Sequence, residues 1–364
     1  MLRLHRKKAR LNYSAIRSLC ILRLSSIGDV THVIPVILNI QQQAPHIKIT
    51  WIIRSSEANL IRNLPGVEFI ILNKKTGLRS LLDIRNHLKS KHFDVLLHMQ
   101  VAGRANIVAA LTPAAIKIGF DKTRSRDLHQ CVIHQSITSL PKQHVRDAFT
   151  SFLTHLEIPL RAQKTFIPLA EEDQHFARMH IVPHRCNIIV SPCSRHTLRN
   201  WLPERYAELA DYAITRYDAQ VIFVGSVEPL EQQFIKKITD YMTQPALNLA
   251  GKDTLKKLSA LIAEADLLIA PDTGATHIAS IVGTDVLGLY AASNPYRTGP
   301  YHSIEWCVNR YPEAAQRFLG VTVDECRWGR KIEFPGVMDL ISVDDTKNML
   351  DTWMSQKFHR RVPS

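Results

Sequence analysis

The sequence predicts an α/β protein made of two Rossmann-like domains in tandem, with a cleft between them. Three observations carry this. Short apolar runs alternate with longer amphipathic ones, the pattern of strands alternating with helices around a mostly parallel sheet. The pattern lapses at a proline-containing stretch near the middle of the chain and then starts again. A length of 364 residues suits roughly two domains at about 150 residues each.

Residues 1–18 read as a basic arm, carrying Arg3, Arg6, Lys7, Lys8, Arg10 and Arg17. The apolar run that follows is broken by Arg23, so it lacks the apolar core of about 7–15 residues that a secretory signal needs. The first domain is expected over 19–165. Its strands are Cys20–Leu24, Ile47–Arg54, Val67–Leu72, Asp94–His98 and Ile116–Gly119, each short, apolar and largely β-branched or Leu-rich. Its helices are Asp29–Gln43, Leu78–Lys89, Arg104–Leu111 and Val145–Leu156, where apolar residues recur at helical spacing. The segment Glu157–Arg185, with Pro159, Pro168 and Pro183, reads as the linker. The second domain is expected over 166–342, with strands Asn187–Ser191, Gln220–Val224, Asp266–Ala270 and Asp285–Tyr290. Its helices are Pro203–Tyr217, Pro229–Met242, Thr254–Ala265 and Ala275–Val282, and Pro203 suits a first-turn position. Asn294–Gly336 reads as irregular, and 343–364 as a C-terminal helix (Val343–Met354) and tail.

Charge divides the chain unevenly. The formal net charge is +13, yet residues 1–180 hold 26 Lys and Arg against 12 Asp and Glu, so the whole excess lies in the first half. Such a one-sided field suits a polyanion: nucleic acid, an acidic membrane surface or a phosphorylated ligand. No recognisable RRM, KH or helix-turn-helix signature accompanies the charge, which disfavours nucleic acid. No apolar run reaches the roughly 18 residues of a membrane span. The six cysteines form no C-x-x-C pair, no H-E-x-x-H occurs, and no metal site is expected. The glycines build neither G-x-G-x-x-G nor a phosphate-binding P-loop, which argues against a dinucleotide oxidoreductase and a P-loop NTPase.

In doubly wound sheets ligands bind beyond the carboxyl ends of the strands, so the strand-to-helix turns carry the functional information. Four stand out. The first runs from Leu24 to His32, where Ser25 and Ser26 offer hydroxyls, Gly28 allows close approach and Asp29 opens a helix. Asp29 reads either as a carboxylate stabilising the helix start or as a general base. The second runs from Ala270 to His277, where Thr273, Gly274 and their neighbours would aim backbone N–H groups at a pyrophosphate and Asp272 would bind a hydroxyl. The third, Ser191 to Trp201, carries Ser194, Arg195 and Arg199, and its two arginines can neutralise a diphosphate. The fourth is Gly225-Ser226-Val227-Glu228, where Glu228 is placed to accept ribose hydroxyls.

Together, in this order and spacing, these turns resemble the ADP-heptose:lipopolysaccharide heptosyltransferases, most of all the inner-core group that adds heptose to Kdo (heptosyltransferase I-like). The residues that carry the resemblance are Ser-Ser-Ile-Gly-Asp-Val at 25–30 with His32 and Pro35, Arg-Asn-Trp-Leu-Pro-Glu at 199–204, and Asp-Thr-Gly-Ala-Thr-His at 272–277. The similarity spans nearly the whole chain.

The resemblance implies a GT-B fold, acceptor domain first and nucleotide-sugar domain second. It implies transfer of L-glycero-D-manno-heptose from ADP-heptose to a Kdo-lipid A acceptor, with inversion, no cofactor and no metal. Asp29 matches the family's catalytic base. Ser194, Arg195, Arg199, Glu228, Asp272, Thr273, Gly274 and His277 fall on the donor side. Ser26, Gly28, Arg104, Arg126 and His144 fall on the acceptor side, although Gln100-Val101-Ala102-Gly103 departs from the commoner Gln-Gly pattern there. The stretch around Cys326-Arg327-Trp328 is an insert that better-known members lack or shorten. A cytoplasmic protein peripheral to the inner face of the inner membrane, meeting an anionic membrane surface and no nucleic acid, is the expected setting. The alternatives are a GT-B enzyme with another sugar-nucleotide donor or acceptor and, less favoured, a nucleic-acid-binding protein.

Overall fold

The computed structural model describes residues 12–73 and 84–358, which fall into two compact units, Met1–Pro168 and Leu169–Ser364. Arg3, Arg6, Lys7, Lys8 and Arg10 of the basic arm, and the start of the helix expected at Leu78–Lys89, lie outside the described residues; 84–88 is helical.

The first unit holds a six-stranded parallel sheet: β1 Ser18–Leu22, β2 Lys48–Arg54, β3 Val67–Leu72, β4 Phe93–His98, β5 Ala114–Gly119 and β6 Gln135–Ser136, in the order β3-β2-β1-β4-β5-β6. The second unit repeats the plan with β7 Asn187–Val190, β8 Gln220–Phe223, β9 Leu247–Asn248, β10 Leu267–Pro271, β11 Asp285–Tyr290 and β12 Cys307–Asn309, in the order β12-β11-β10-β7-β8-β9. Numbered from its own first strand, each sheet runs 3-2-1-4-5-6, the doubly wound order. The central strands are covered on both faces and read as unbroken apolar runs. Leu19, Cys20, Ile21 and Leu22 of β1 are fully buried, as are Leu267 and Leu268 of β10.

The order reverses between β1 and β4 in the first sheet and between β7 and β10 in the second. The helices entered from those four strands are Ile27–Gln43, Gly103–Leu111, Pro203–Tyr217 and Gly274–Val282. Their starts therefore gather at the carboxyl ends of the central strands, where three of the four turns singled out above lie.

The structure adds elements that periodicity did not mark. β6, β9 and β12 span two or three residues, too few for an alternating pattern. Helix Ser55–Ile61 follows β2 directly. The expected linker contains helix Glu171–His180, whose first turn is fixed by Asp173 Oδ2 accepting the Ala170 N–H at 3.0 Å. That helix packs on helix Leu255–Glu264 and buries Ala177, so it belongs to the second unit. The stretch expected to be irregular, Asn294–Gly336, contains β12 and helix Tyr311–Leu319, which ends at Gly320 with φ +68°. The C-terminal helix Val343–Trp353 packs on helix Pro203–Tyr217. Its Asp351 accepts from the Tyr212 and Tyr217 hydroxyls at 2.9 and 2.7 Å, and the Trp353 indole donates to Asp285 at 3.0 Å. No helix among the described residues is long and apolar enough to cross a membrane.

Trp201 anchors the turn after β7. It is 1% exposed, sits edge-on to Tyr206 at 5.1 Å, and its indole N–H donates to the Ile341 carbonyl at 2.9 Å. Trp201→Ala is expected to cost about 3–5 kcal/mol through the cavity it leaves. Trp201→Phe should lose only about 1 kcal/mol, for the hydrogen bond. Urea unfolding of the two variants measures both.

Candidate active site

In the first unit, Arg23 and the Ser25–Ser26 turn follow β1, and Met99–Ala102 follows β4. The two connections are tied together. The Arg23 guanidinium donates to the Met99 carbonyl at 2.6 Å, and Gln100 accepts the Leu24 N–H at 2.7 Å. Asp29 lies in the first turn of helix Ile27–Gln43, which Ser26 precedes as N-cap. Its Oδ2 accepts from the Ser26 hydroxyl at 3.0 Å and from the Ser26 N–H at 3.3 Å, and forms an ion pair with Arg23. Both readings of Asp29 are therefore physically compatible, because one carboxylate oxygen holds the helix start and the other does not.

The Arg23 side chain is only 12% exposed and its guanidinium lies over the Phe149 ring at 5.3 Å. Burial pushes its pKa down, and the Asp29 charge and hydrogen bond act against that push. Gly28 is buried, and its carbonyl accepts from the Thr31 hydroxyl at 2.6 Å. His144 is also mostly buried: it caps helix Val145–His155 by accepting the Arg146 N–H on Nδ1 at 3.0 Å, with its ring edge-on to His32 at 5.8 Å. Arg104 lies in the first turn of helix Gly103–Leu111 and donates to the Asn73 carbonyl at 3.3 Å. Arg126, with 74% of its side chain exposed, donates to the Val101 carbonyl at 3.3 Å.

A buried network fixes the loop that carries Arg126. Phe120 N–H donates to His129 Nε2 at 3.1 Å, so the His129 proton sits on Nδ1 and points to Asn106 Oδ1 at 3.1 Å. His98 Nε2 meets the same oxygen at 2.8 Å. The Asn106 amide then donates to the Asp127 carbonyl at 2.6 Å, and the Asp127 carboxylate accepts the Gly103 N–H at 3.1 Å. The chain of bonds runs from the end of β4 to the Arg126–Asp127 backbone. Burial lowers the His98 pKa to about 3 and that of His129 to about 4, so both rings are neutral in the network.

In the second unit, Asp272 follows β10 and its side chain is 9% exposed. It forms an ion pair with Lys331, lies 3.7 Å from Arg199 and 3.8 Å from His277 Nε2, and accepts from the Thr298 hydroxyl at 3.4 Å. Burial alone would push the Asp272 carboxyl up, but Lys331, His277 and Arg199 outweigh it and hold the pKa below the ordinary value. Burial likewise pushes Lys331 down, against the pull of Asp272. Arg199 is shared with Glu333, at 2.5 and 2.7 Å. Thr273 is the N-cap of helix Gly274–Val282 and its side chain makes no capping bond. Gly329, at φ +89°, leaves room for Arg297, because a Cβ there would collide with that guanidinium.

Five of the expected donor-side residues, Arg199, Asp272, Thr273, Gly274 and His277, thus meet at one helix start. The other three have their own surroundings. Ser194 is buried and engaged within its own turn, accepting the His196 N–H and donating to the His196 carbonyl. Arg195 is exposed. Glu228 is an exposed N-cap of helix Pro229–Tyr241, and the neighbouring Ser226 N–H is instead accepted by Glu231 at 2.8 Å. Sequence reasoning missed Arg23, Gln100, Lys331 and Glu333. Arg23 stood next to the first turn, whereas Lys331 and Glu333 lay in the stretch read as irregular. A separate cavity of about 440 Å³ lies behind the 193–200 turn, lined in part by Leu198, Trp201, Leu230, Phe234 and Phe334, and Asp272 takes no part in it. Among the described residues, no group of three or more His, Cys, Asp and Glu side chains is placed to hold a metal ion.

Residues 81–320 match the model of glycosyltransferase family 9 (heptosyltransferase). The chain is 38% identical to the lipopolysaccharide core heptosyltransferase OpsX of Haemophilus influenzae over 330 residues, which cover 91% of this chain and 95% of that protein. Among solved structures it resembles a family 9 glycosyltransferase from Veillonella parvula, at a TM-score of 0.77 and 20% identity over 96% of this chain and 99% of the other. It also resembles the Escherichia coli heptosyltransferase WaaC with ADP-2-deoxy-2-fluoro heptose, at a TM-score of 0.66 and 17% identity over 92% and 99%.

The two neutral histidines make stability depend on pH. An unfolded histidine takes up a proton below about pH 6.5, while the folded pair stays neutral down to about 4 for His129 and about 3 for His98. Their contribution is therefore complete above pH 6.5 and is lost as pH falls toward 4, at about 1.4 kcal/mol per pH unit for each ring. Urea unfolding across that window should show the loss, and in His129→Gln the slope should lessen by one proton.

Proposed function

The chain belongs to glycosyltransferase family 9, the heptosyltransferases, and we propose that it transfers heptose from ADP-L-glycero-D-manno-heptose to the Kdo region of the lipopolysaccharide inner core, with inversion and without a metal. Its fold is the two-domain α/β GT-B architecture, and the enzyme is a heptosyltransferase. The observation that carries the finer reading is that each unit has a polar turn at the point where its strand order reverses. One presents a helix-start carboxylate with an uncommitted oxygen, Asp29; the other gathers Arg199, Lys331 and His277 around Asp272 at the start of a helix. The donor assignment is supported by the ADP-2-deoxy-2-fluoro heptose of the E. coli structure, and an acceptor in the lipopolysaccharide core by the similarity to OpsX.

In this reading Asp29 removes the proton from the acceptor hydroxyl as that oxygen attacks the anomeric carbon. The new C–O bond forms on the face opposite the departing phosphate, the old C–O bond breaks, and its electron pair leaves with ADP. No covalent nucleophile is needed. Arg199 and Lys331, with the N–H groups at the start of helix Gly274–Val282, balance the charge that grows on the leaving diphosphate. Asp272 takes a sugar hydroxyl, because the cations around it hold it ionised. Acceptor recognition falls to the first unit, where Arg126 and Arg104 stand at the start of helix Gly103–Leu111. A lipid-linked acceptor sets the reaction at the cytoplasmic face of the inner membrane, with the protein bound peripherally through its basic half.

The test is turnover of ADP-heptose with Kdo-lipid A, with and without phosphate on Kdo. Transfer is expected, and absence of turnover on either acceptor would refute the assignment. Asp29→Asn should lower kcat by about 10²- to 10⁴-fold, the usual worth of a general base. A folded, fully active Asp29→Asn enzyme would remove Asp29 from that role. Arg199→Met should raise the donor KM by about tenfold or more, as expected for one charge-assisted contact, while the acceptor KM stays within about twofold.

A further inference from the structure

We propose that Arg23 is a positioning residue for the candidate base: with Ser26 it occupies Oδ2 of Asp29 and so leaves Oδ1 as the oxygen that takes the acceptor proton. The inference rests on the general-base reading of Asp29 and adds the group that holds it.

Three donors converge on Oδ2, namely the Arg23 guanidinium, the Ser26 hydroxyl and the Ser26 N–H. Among the described residues none reaches Oδ1, although 30% of the Asp29 side chain is exposed. A carboxylate held at one oxygen keeps its rotamer, and the other oxygen stays open to a substrate hydroxyl.

Arg23 is itself built to stay in place. Its backbone N–H donates to the Ile52 carbonyl at 3.3 Å, and its own carbonyl accepts from the Trp51 indole at 3.1 Å. Its guanidinium reaches two groups at once: Nη1 donates to the Met99 carbonyl at 2.6 Å while Nη2 meets Asp29. The fork therefore ties the end of β1, the turn after β4 and the helix-start carboxylate into one unit. The ring of Phe149 lies beneath it. Lysine has the charge but not the fork, so it can satisfy one of these partners and not both in the same geometry. Nothing in the reaction uses Arg23 directly. It acts through Asp29.

The experiment is a double-mutant cycle on transfer rate, using Arg23→Met, Asp29→Asn and the pair. Arg23→Met is expected to lower kcat by about 10- to 100-fold, the cost of misplacing a reacting group by about 1 Å. Both KM values should stay within about threefold, and Arg23→Lys should restore part of kcat. In the Asp29→Asn background, Arg23→Met should change the rate by less than about twofold, because the base it positions is gone. Effects that multiply independently would overturn the proposal, as would a normal kcat in folded Arg23→Met. Should Arg23→Met fail to fold, Arg23→Lys carries the same cycle, since it keeps the charge and the apolar stem. An active Asp29→Asn enzyme sinks the base reading itself, whereas an impaired Asp29→Asn beside a normal Arg23 variant sinks only this inference.

Discussion

Both units depend on one topological constraint. In a parallel sheet ordered 3-2-1-4-5-6, the first and fourth strands send their connections to opposite faces, so the chain parts at their carboxyl ends. Backbone N–H groups at the helix starts on either side of that gap have no intrahelical partners. Polar side chains also tie the two connections together in each unit: Gln100 accepts the Leu24 N–H and Arg23 donates to the Met99 carbonyl in the first, and Arg199 after β7 lies 3.7 Å from Asp272 after β10 in the second. The sites are thus consequences of where the sheet order reverses, and the side chains there are the ones that close the gap while leaving polar atoms for a ligand.

The two carboxylates at these positions solve the same problem to different degrees. Asp272 is nearly enclosed and is surrounded by Lys331, Arg199, His277 and Thr298. A buried charge with so many partners is a fixed counter-ion, suited to orienting its neighbours or a hydroxyl and unsuited to picking up a proton. Asp29 is more exposed, and its three donors crowd one oxygen. That asymmetry is what a base requires, held in place and yet with one lone-pair-bearing atom uncommitted. Asp29 and Asp272 resemble each other as residues at strand-to-helix turns, and only their surroundings separate the roles proposed for them.

Much of this was legible in the sequence because the central strands are long apolar runs and the turns are punctuated by Gly, Ser, Thr and Asp. Val67–Leu72, Pro203–Tyr217 and Asp285–Tyr290 follow the periodicity residue for residue. The helix Glu171–His180 was hidden because prolines flank it and its polar composition resembles a linker; its order comes from packing on helix Leu255–Glu264. Lys331 and Glu333 were hidden for a different reason. Their stretch has no local pattern, and they reach Asp272 and Arg199 from 59 and 134 residues away in the chain. A charge partner at that separation leaves no trace in spacing. The insert around Cys326–Trp328, whose role the sequence left open, adjoins the segment that supplies both.

The charge asymmetry also changes meaning once partners are known. The first half carries the whole positive excess, but not all of it is available to a ligand. Arg124 pairs with Asp121, Lys91 with Glu68 and Arg23 with Asp29, and Lys117 donates to the Ala109 carbonyl at 2.6 Å. Each of these cations is spent on holding the unit together. Lys122 and Arg126 are exposed and sit on the loop that the His98–Asn106–His129 network fixes; Arg126 donates to the Val101 carbonyl and lies 3.8 Å from Asp127, yet 74% of its side chain faces solvent. An exposed arginine on a mobile loop would lose much of its binding energy to ordering, at roughly 1–2 kcal/mol per residue fixed. Here the backbone that carries it is bonded to the core before any anion arrives. Lys122 and Arg126 are thus presented by a loop tied to the core, and the buried neutral histidines, which contribute no charge, are part of what ties it there.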